Sequence, residues 1–257
     1  MSRIGLVFKE KSKRILNVYC TAGYPTLDST MKVMESLQKN GADIIELGMP
    51  YSDPLADGEV IQQSSLKALE NGMNIAFLFE QIKNMRSSIS IPVVLMGYMN
   101  PILQYGFEAF CKKAKEVGID GLILPDLPLF EFEQSYGRII AENNLDFIFL
   151  VTPETPELRV KKLDQLSTGF LYAVSSSATT GKDKDFNGVA HYLKKLQAMQ
   201  LKNPILVGFG IKDKASFDTV TAFTEGAIIG SAYIQILSKG GDIDSNTSTF
   251  LKNVLGH

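Results

Sequence analysis

Short apolar runs rich in β-branched and aromatic residues alternate with longer segments of helical period along the whole chain. The runs occupy residues 15–21 (ILNVYCT), 44–47 (IIEL), 93–98 (VVLMGY), 121–124 (GLIL), 147–151 (FIFLV), 170–174 (FLYAV), 205–208 (ILVG) and 227–230 (AIIG). Several are apolar at nearly every position, as strands covered on both faces should be. Their starts recur about every 30 residues, the length of one βα unit. The segments between them, such as 27–39 and 107–117, have one apolar and one polar face, and Thr26 and Asp213 stand where helix N-caps belong. Eight such units predict an α/β fold: a single (βα)8 TIM barrel over residues 1–257, with extra helical segments at its N- and C-terminal ends. A doubly wound open sheet is the alternative, weakened in its dinucleotide-binding form because no GxGxxG follows the first run. Residues 238–249 (SKGGDIDSNTST) read as a polar loop between the last two helices.

Composition narrows the function classes. The 257 residues are 45% hydrophobic, enough to exclude a mainly disordered chain. A formal net charge of −2 offers no basic surface for nucleic acid or an anionic membrane, so neither is expected as a partner. No apolar run approaches the roughly 20 residues of a membrane helix, and no signal peptide is recognisable, which predicts a cytoplasmic protein. Cys20 and Cys111 fall on different predicted elements without CxxC spacing and read as buried thiols in a reducing compartment. Of the two histidines, His257 is the last residue and His191 lies in a helical stretch, which argues against a histidine metal site or a nucleophile–histidine dyad; no metal is expected. Tryptophan is absent, although the chain has 15 Phe and 9 Tyr.

In such a barrel the chemistry sits at the carboxyl ends of the strands and on the loops that follow. Glu46 lies inside the apolar run IIELGMP, where a carboxylate without a partner is strongly disfavoured. It either points outward toward a lysine or faces the barrel mouth as an acid of raised pKa. Asp57 lies in the following loop and reads either as the N-cap of the helix beginning EVIQQ or as a second functional carboxylate. Gly208-Phe209-Gly210-Ile211 and Gly230-Ser231 follow the seventh and eighth runs, the usual phosphate-binding position of this barrel. The stretch 175–184 (SSSATTGKDK) reads as a mobile loop, and Tyr172 just before it places a hydroxyl in an apolar strand. A phosphate site facing carboxylates, with no strand lysine for a Schiff base, suits a substrate that carries its own electron sink, such as a ring that can be protonated at carbon.

The segments Thr21-Ala-Gly-Tyr-Pro25, ELGMPYSDPLADG (46–58), Gly208-Phe-Gly-Ile211 and Gly230-Ser231 resemble those of the tryptophan synthase alpha chain family, and the similarity runs from the first strand to the eighth. The resemblance implies a carbon–carbon lyase of tryptophan biosynthesis that cleaves indole-3-glycerol phosphate to indole and glyceraldehyde 3-phosphate by a retro-aldol reaction. By position, it makes Glu46 the acid/base and Asp57 the group that holds the indole N–H. It places Tyr172 and Thr180 beside the substrate, and Gly181, Phe209, Gly210, Gly230 and Ser231 in the phosphate pocket. It implies no cofactor in this chain and a pyridoxal-phosphate beta chain as partner in an alpha2-beta2 heterotetramer, contacted around residues 50–53, 100–101 and 126–128. Two departures are visible: Glu59 stands where many members have proline, and the loop SSSATTG lacks the arginine that many carry.

Overall fold

The computed structural model describes residues 1–174, 186–208 and 210–256. The strands are β1 (Ile15–Thr21), β2 (Ile44–Gly48), β3 (Val93–Met96), β4 (Gly121–Ile123), β5 (Asp146–Phe147), β6 (Leu150–Val151), β7 (Leu171–Val174), β8 (Ile205–Gly208) and β9 (Gly226–Ile229). They pair in parallel in the order β5-β4-β3-β2-β1-β9-β8-β7-β6. The two ends of that order are halves of one strand. Ile148 still donates its N–H to Leu122 O of β4 (3.0 Å), whereas Phe149 O already accepts from Tyr172 N–H of β7 (3.0 Å). The sheet therefore closes into a ring of eight strands, which excludes the open doubly wound alternative. The run 147–151 is divided because the buried Ser167 Oγ takes the Phe149 N–H (3.1 Å) and donates to nearby carbonyls.

Side-chain parity sorts the core into two clusters. Leu16, Val18, Ile45, Leu47, Val93, Leu95, Val207 and Ile229 face outward against the helices. Ile15, Ile44, Val94, Ile123, Ile148, Phe170, Leu206 and Ile228 face the barrel axis, and Ile4 of the helix Arg3–Lys11 packs against them. That helix follows the Ser2 N-cap and closes the amino end of the barrel with Ile4, Val7 and Phe8. Two positions toward the carboxyl ends, the inward face changes character: Asn17 follows Ile15, Glu46 follows Ile44 and Tyr172 follows Phe170. An apolar floor thus supports a polar layer.

The helical layer begins as predicted at Asp213, whose carboxylate accepts the Ser216 N–H (2.9 Å). Before the helix Thr30–Lys39 the chain makes a 3-10 turn, Leu27–Ser29, so Thr26 opens a turn and not the α-helix itself. The polar stretch at 238–249 is mostly helical, a correction to its reading as a loop. The helix Ser231–Leu237 is followed by a short connection, then by the helix Ile243–Leu255, with Asp242 as N-cap. Its small polar residues are compatible with a helix because Thr247 is buried against the Tyr233 hydroxyl (2.8 Å). The N- and C-terminal helical additions are Arg3–Lys11 and Ile243–Leu255. Among the described residues, no helix is long and apolar enough to cross a membrane.

Candidate active site

A cavity of about 530 Å³ opens at the carboxyl ends of the strands. Glu46 and Tyr19 lie in its wall with Asp57, Tyr172, Gly208, Gly210, Gly230 and Ser231. Leu127, Leu129, Phe149 and Ile211 add an apolar side. Thr180, Gly181 and Phe209 lie outside the described residues, as does the stretch 175–184.

Glu46 is only 1% exposed. Its position on β2 is inward, opposite Tyr19 on β1 and Val94 on β3. Its partner is an amide and not a lysine: Asn17 Nδ2 donates to Glu46 Oε2 at 2.9 Å. Burial pushes the carboxyl up from an ordinary 4.5 to about 8; the Asn17 bond opposes this rise and the nearby Asp57 charge adds to it. Near neutral pH Glu46 is therefore mainly an acid with a proton to give.

Asp57 sits on the loop between β2 and the helix Glu59–Glu70. The N-cap position of that helix belongs to Gly58, and the Asp57 side chain instead accepts the Tyr98 hydroxyl at 3.0 Å. The same hydroxyl accepts the Ala56 N–H at 3.1 Å, so Tyr98 clamps the loop through both backbone and carboxylate. Burial raises Asp57 from 3.8 to about 6, with the Tyr98 bond opposing. Glu59 occupies the first turn of the helix, where a negative side chain suits the N-terminal end.

Two glycines make room for the tyrosines. A Cβ on Gly48 would lie 2.1 Å from the Tyr19 hydroxyl, and one on Gly208 would lie 2.7 Å from that of Tyr172. Gly208 on β8 thus leaves room for the Tyr172 ring of the neighbouring strand β7. Gly210, Gly230 and Ser231 remain at the rim, where the helix Ser231–Leu237 begins. Arg159 is the one cation among the described residues that line the cavity.

Asn17, Tyr19, Tyr98 and Arg159 were not singled out by the sequence reading. A signal for the first two was present: Asn17, Tyr19 and Thr21 alternate within β1, marking one polar face of an otherwise apolar strand. Tyr98 and Arg159 carried none, since their positions depend on how loops approach one another. His191 is exposed on the helix Phe186–Ala198 and is not among the described residues that line the cavity. Cys20 and Cys111 are buried free thiols, each pushed up to about 12 by burial. No group of residues suited to holding a metal ion occurs among the described residues.

The model of the family described as tryptophan synthase alpha chain matches residues 7–255. The chain belongs to the tryptophan synthase alpha chain family. It is accordingly a lyase of tryptophan biosynthesis. It is 47% identical over 255 residues to the alpha chain of Flavobacterium psychrophilum, covering 99% of this chain and 100% of that one. It is 50% identical over 244 residues to the alpha chain of Bacteroides thetaiotaomicron, covering 94% and 95%. Among solved structures, the alpha subunit from Legionella pneumophila superposes with a TM-score of 0.90 at 34% identity, over 99% of this chain and 97% of that one. The tryptophan synthase complex from Pyrococcus furiosus contains a chain matching with a TM-score of 0.86 at 33% identity, over 95% and 99%. These matches to alpha chains of the same barrel agree with the ring closure through β5 and β6.

Proposed function

We propose that this alpha chain, a single barrel domain over residues 1–257, cleaves indole-3-glycerol phosphate to indole and glyceraldehyde 3-phosphate with Glu46 and Asp57 as its catalytic pair. The observation that carries the reading is a buried acid of pKa about 8 sharing the cavity with a carboxylate of pKa about 6. Between those values one is protonated and the other ionised, the division of labour the reaction needs. Glu46 gives its proton to the ring carbon that bears the glycerol chain. Positive charge develops on the ring nitrogen, where Asp57 accepts the N–H and offsets it. The glycerol hydroxyl next to the ring then loses its proton to the Glu46 carboxylate. The carbon–carbon bond breaks, its electron pair returns to the ring, and the hydroxyl carbon becomes the aldehyde. The ring carbon keeps the proton it received, as a C–H of indole, and the hydroxyl proton takes its place on Glu46.

Tyr172 lies along the substrate in this reading. Thr180 lies beside the substrate with Tyr172, and Gly210, Gly230 and Ser231, together with Gly181 and Phe209, take the glycerol phosphate end. The chain needs no cofactor of its own, and no lysine lines the described cavity to carry pyridoxal phosphate as a Schiff base. That cofactor belongs to a beta-chain partner, in an alpha2-beta2 assembly in the cytoplasm. The partner's docking face comprises 50–53, 100–101 and 126–128. These segments are tied together: Asn100 Nδ2 donates to the Tyr51 hydroxyl (3.1 Å), and Met99 N–H to the Asp126 carboxylate (3.0 Å). Leu55, 96% exposed beside them, is an apolar residue for a partner to cover.

The test is to mix the protein with indole-3-glycerol phosphate and follow indole release, alone and with a beta chain. Release without the partner, increased by its addition, is the expected result. No release in either condition would sink the reading.

A further inference from the structure

Asn17 is fully buried, on the inward face of β1, with Ile44 and Ile228 as its register neighbours. One end of its amide donates to Glu46 Oε2, while its other end, Oδ1, is buried without a hydrogen-bond partner. An apolar side chain would fill this position among isoleucines without leaving a buried polar atom unpaired, an omission that costs stability. Departures of this kind concentrate where a site requires them. Among the described residues none donates to the other Glu46 oxygen, Oε1, which keeps some exposure and belongs to a side chain that lines the cavity. We propose that Asn17 is a positioning residue for proton transfer: its N–H reserves Oε2 of Glu46 as an acceptor in both protonation states, so the transferable proton is carried on Oε1, the oxygen that opens on the substrate cavity.

The chemistry follows from the amide's inventory. An Asn N–H can donate to either oxygen of a carboxylate, but on a neutral carboxyl the carbonyl oxygen is the better acceptor. A fixed donor at Oε2 therefore makes Oε1 the hydroxyl. In the reaction Oε1 loses its proton to the ring carbon and regains one from the substrate hydroxyl, while Oε2 keeps the same partner throughout. Because the donor favours the ionised form, it also holds the carboxyl lower than burial alone would. The other ionisable groups in electrostatic contact with Glu46 are Tyr19 and Cys20 on β1, Asp57 on the loop after β2 and Tyr172 on β7; β3 presents Val94. Burial lifts the tyrosines well above their usual range and Cys20 to about 12, so only Asp57 titrates below Glu46.

The proposal rests on Glu46 being the acid/base, and the experiment separates the two. Indole formation by the full-length chain is measured against pH for the wild type, Asn17→Val and Glu46→Gln. In parallel, the infrared carboxylic-acid band abolished by Glu46→Gln is titrated in the wild type and Asn17→Val. For Asn17→Val the alkaline limb and the infrared midpoint are expected to move up together by about one pH unit, the acid limb to stay, and kcat to fall about tenfold with KM little changed. If Asn17→Val fails to fold, Asn17→Ala, which only removes atoms, is expected to shift both in the same direction. An inactive Glu46→Gln with both midpoints unmoved in the Asn17 variant would overturn the positioning role and leave the catalytic reading intact. An active Glu46→Gln would instead overturn the catalytic reading, and the proposal with it.

Discussion

Glu46 and Asp57 are carboxyls of similar intrinsic acidity that the fold separates by about two pH units, to about 8 and about 6. Burial is the main cause for both, and each is tempered by one donor, Asn17 for Glu46 and Tyr98 for Asp57. On the proposed mechanism, which uses Glu46 protonated and Asp57 ionised, indole formation should rise through about pH 6 and fall through about pH 8. A pH–rate profile of kcat/KM checks this. Tyr98→Phe removes the bond that lowers Asp57, so Asp57 should stay protonated to higher pH. The acid limb should then move upward and narrow the active range, while the alkaline limb changes less. Glu46→Gln should lower indole formation at least about a hundredfold with the fold retained, as measured by turnover alongside circular dichroism. The sequence made Glu46 legible because a carboxylate in an apolar strand is an anomaly in one dimension. It left Asp57 open between cap and catalyst, because the loop's path decides which group meets the carboxylate. Tyr98, the last residue of the run VVLMGY, gave no hint that its hydroxyl would reach across to Asp57.

At the scale of elements, apolar runs located all eight barrel strands, because continuous burial on both faces is what a central parallel strand requires. The division of the fifth strand was hidden, since Ser167, more than a dozen residues later, takes the Phe149 N–H. The helix Ile243–Leu255 was hidden by composition: Ser, Asn and Thr read as a loop until the Asp242 cap and the Tyr233–Thr247 contact are known. A further element-level device is at the amino ends of the strands. Asp120, just before β4, accepts from Arg3 (2.8 Å), from the Val93 N–H (2.8 Å) and from Arg86. It thereby joins the N-terminal helix, the start of β3 and the approach to β4. Asp120 is 6% exposed, and burial already pushes the Arg86 guanidinium below its usual range. Removing the carboxylate leaves that cation without its counterion. Asp120→Ala should destabilise the fold by about 3 kcal/mol in chemical denaturation. Because the network lies at the opposite end of the barrel from the cavity, kcat/KM per folded molecule should stay within about twofold.

For the whole molecule, a neutral acid in the barrel interior links catalysis to stability. Glu46 has an ordinary value of 4.5 when the chain is unfolded and about 8 when it is folded. Between those pH values the folded state binds a proton that the unfolded state has released. Stability therefore falls as pH rises through this window, and the contribution is fully lost above about 8. Asp57 acts with the same sign over the lower window from 3.8 to about 6. The Glu46 contribution is on the order of 5 kcal/mol before a discount for whatever water the open cavity admits. Glutamine has nearly the same shape and no charge to desolvate, and it can still accept from Asn17 through its carbonyl oxygen. Glu46→Gln should therefore have a Tm close to the wild type at pH 5, where both side chains are neutral in the fold, and a higher Tm at pH 8.5. Melting curves at the two pH values test this without reference to activity. An equal Tm difference at both would mean that the carboxyl is not held neutral by burial. A gap that opens with pH would mean that the carboxyl proposed as the acid is retained against the stability of the barrel that holds it.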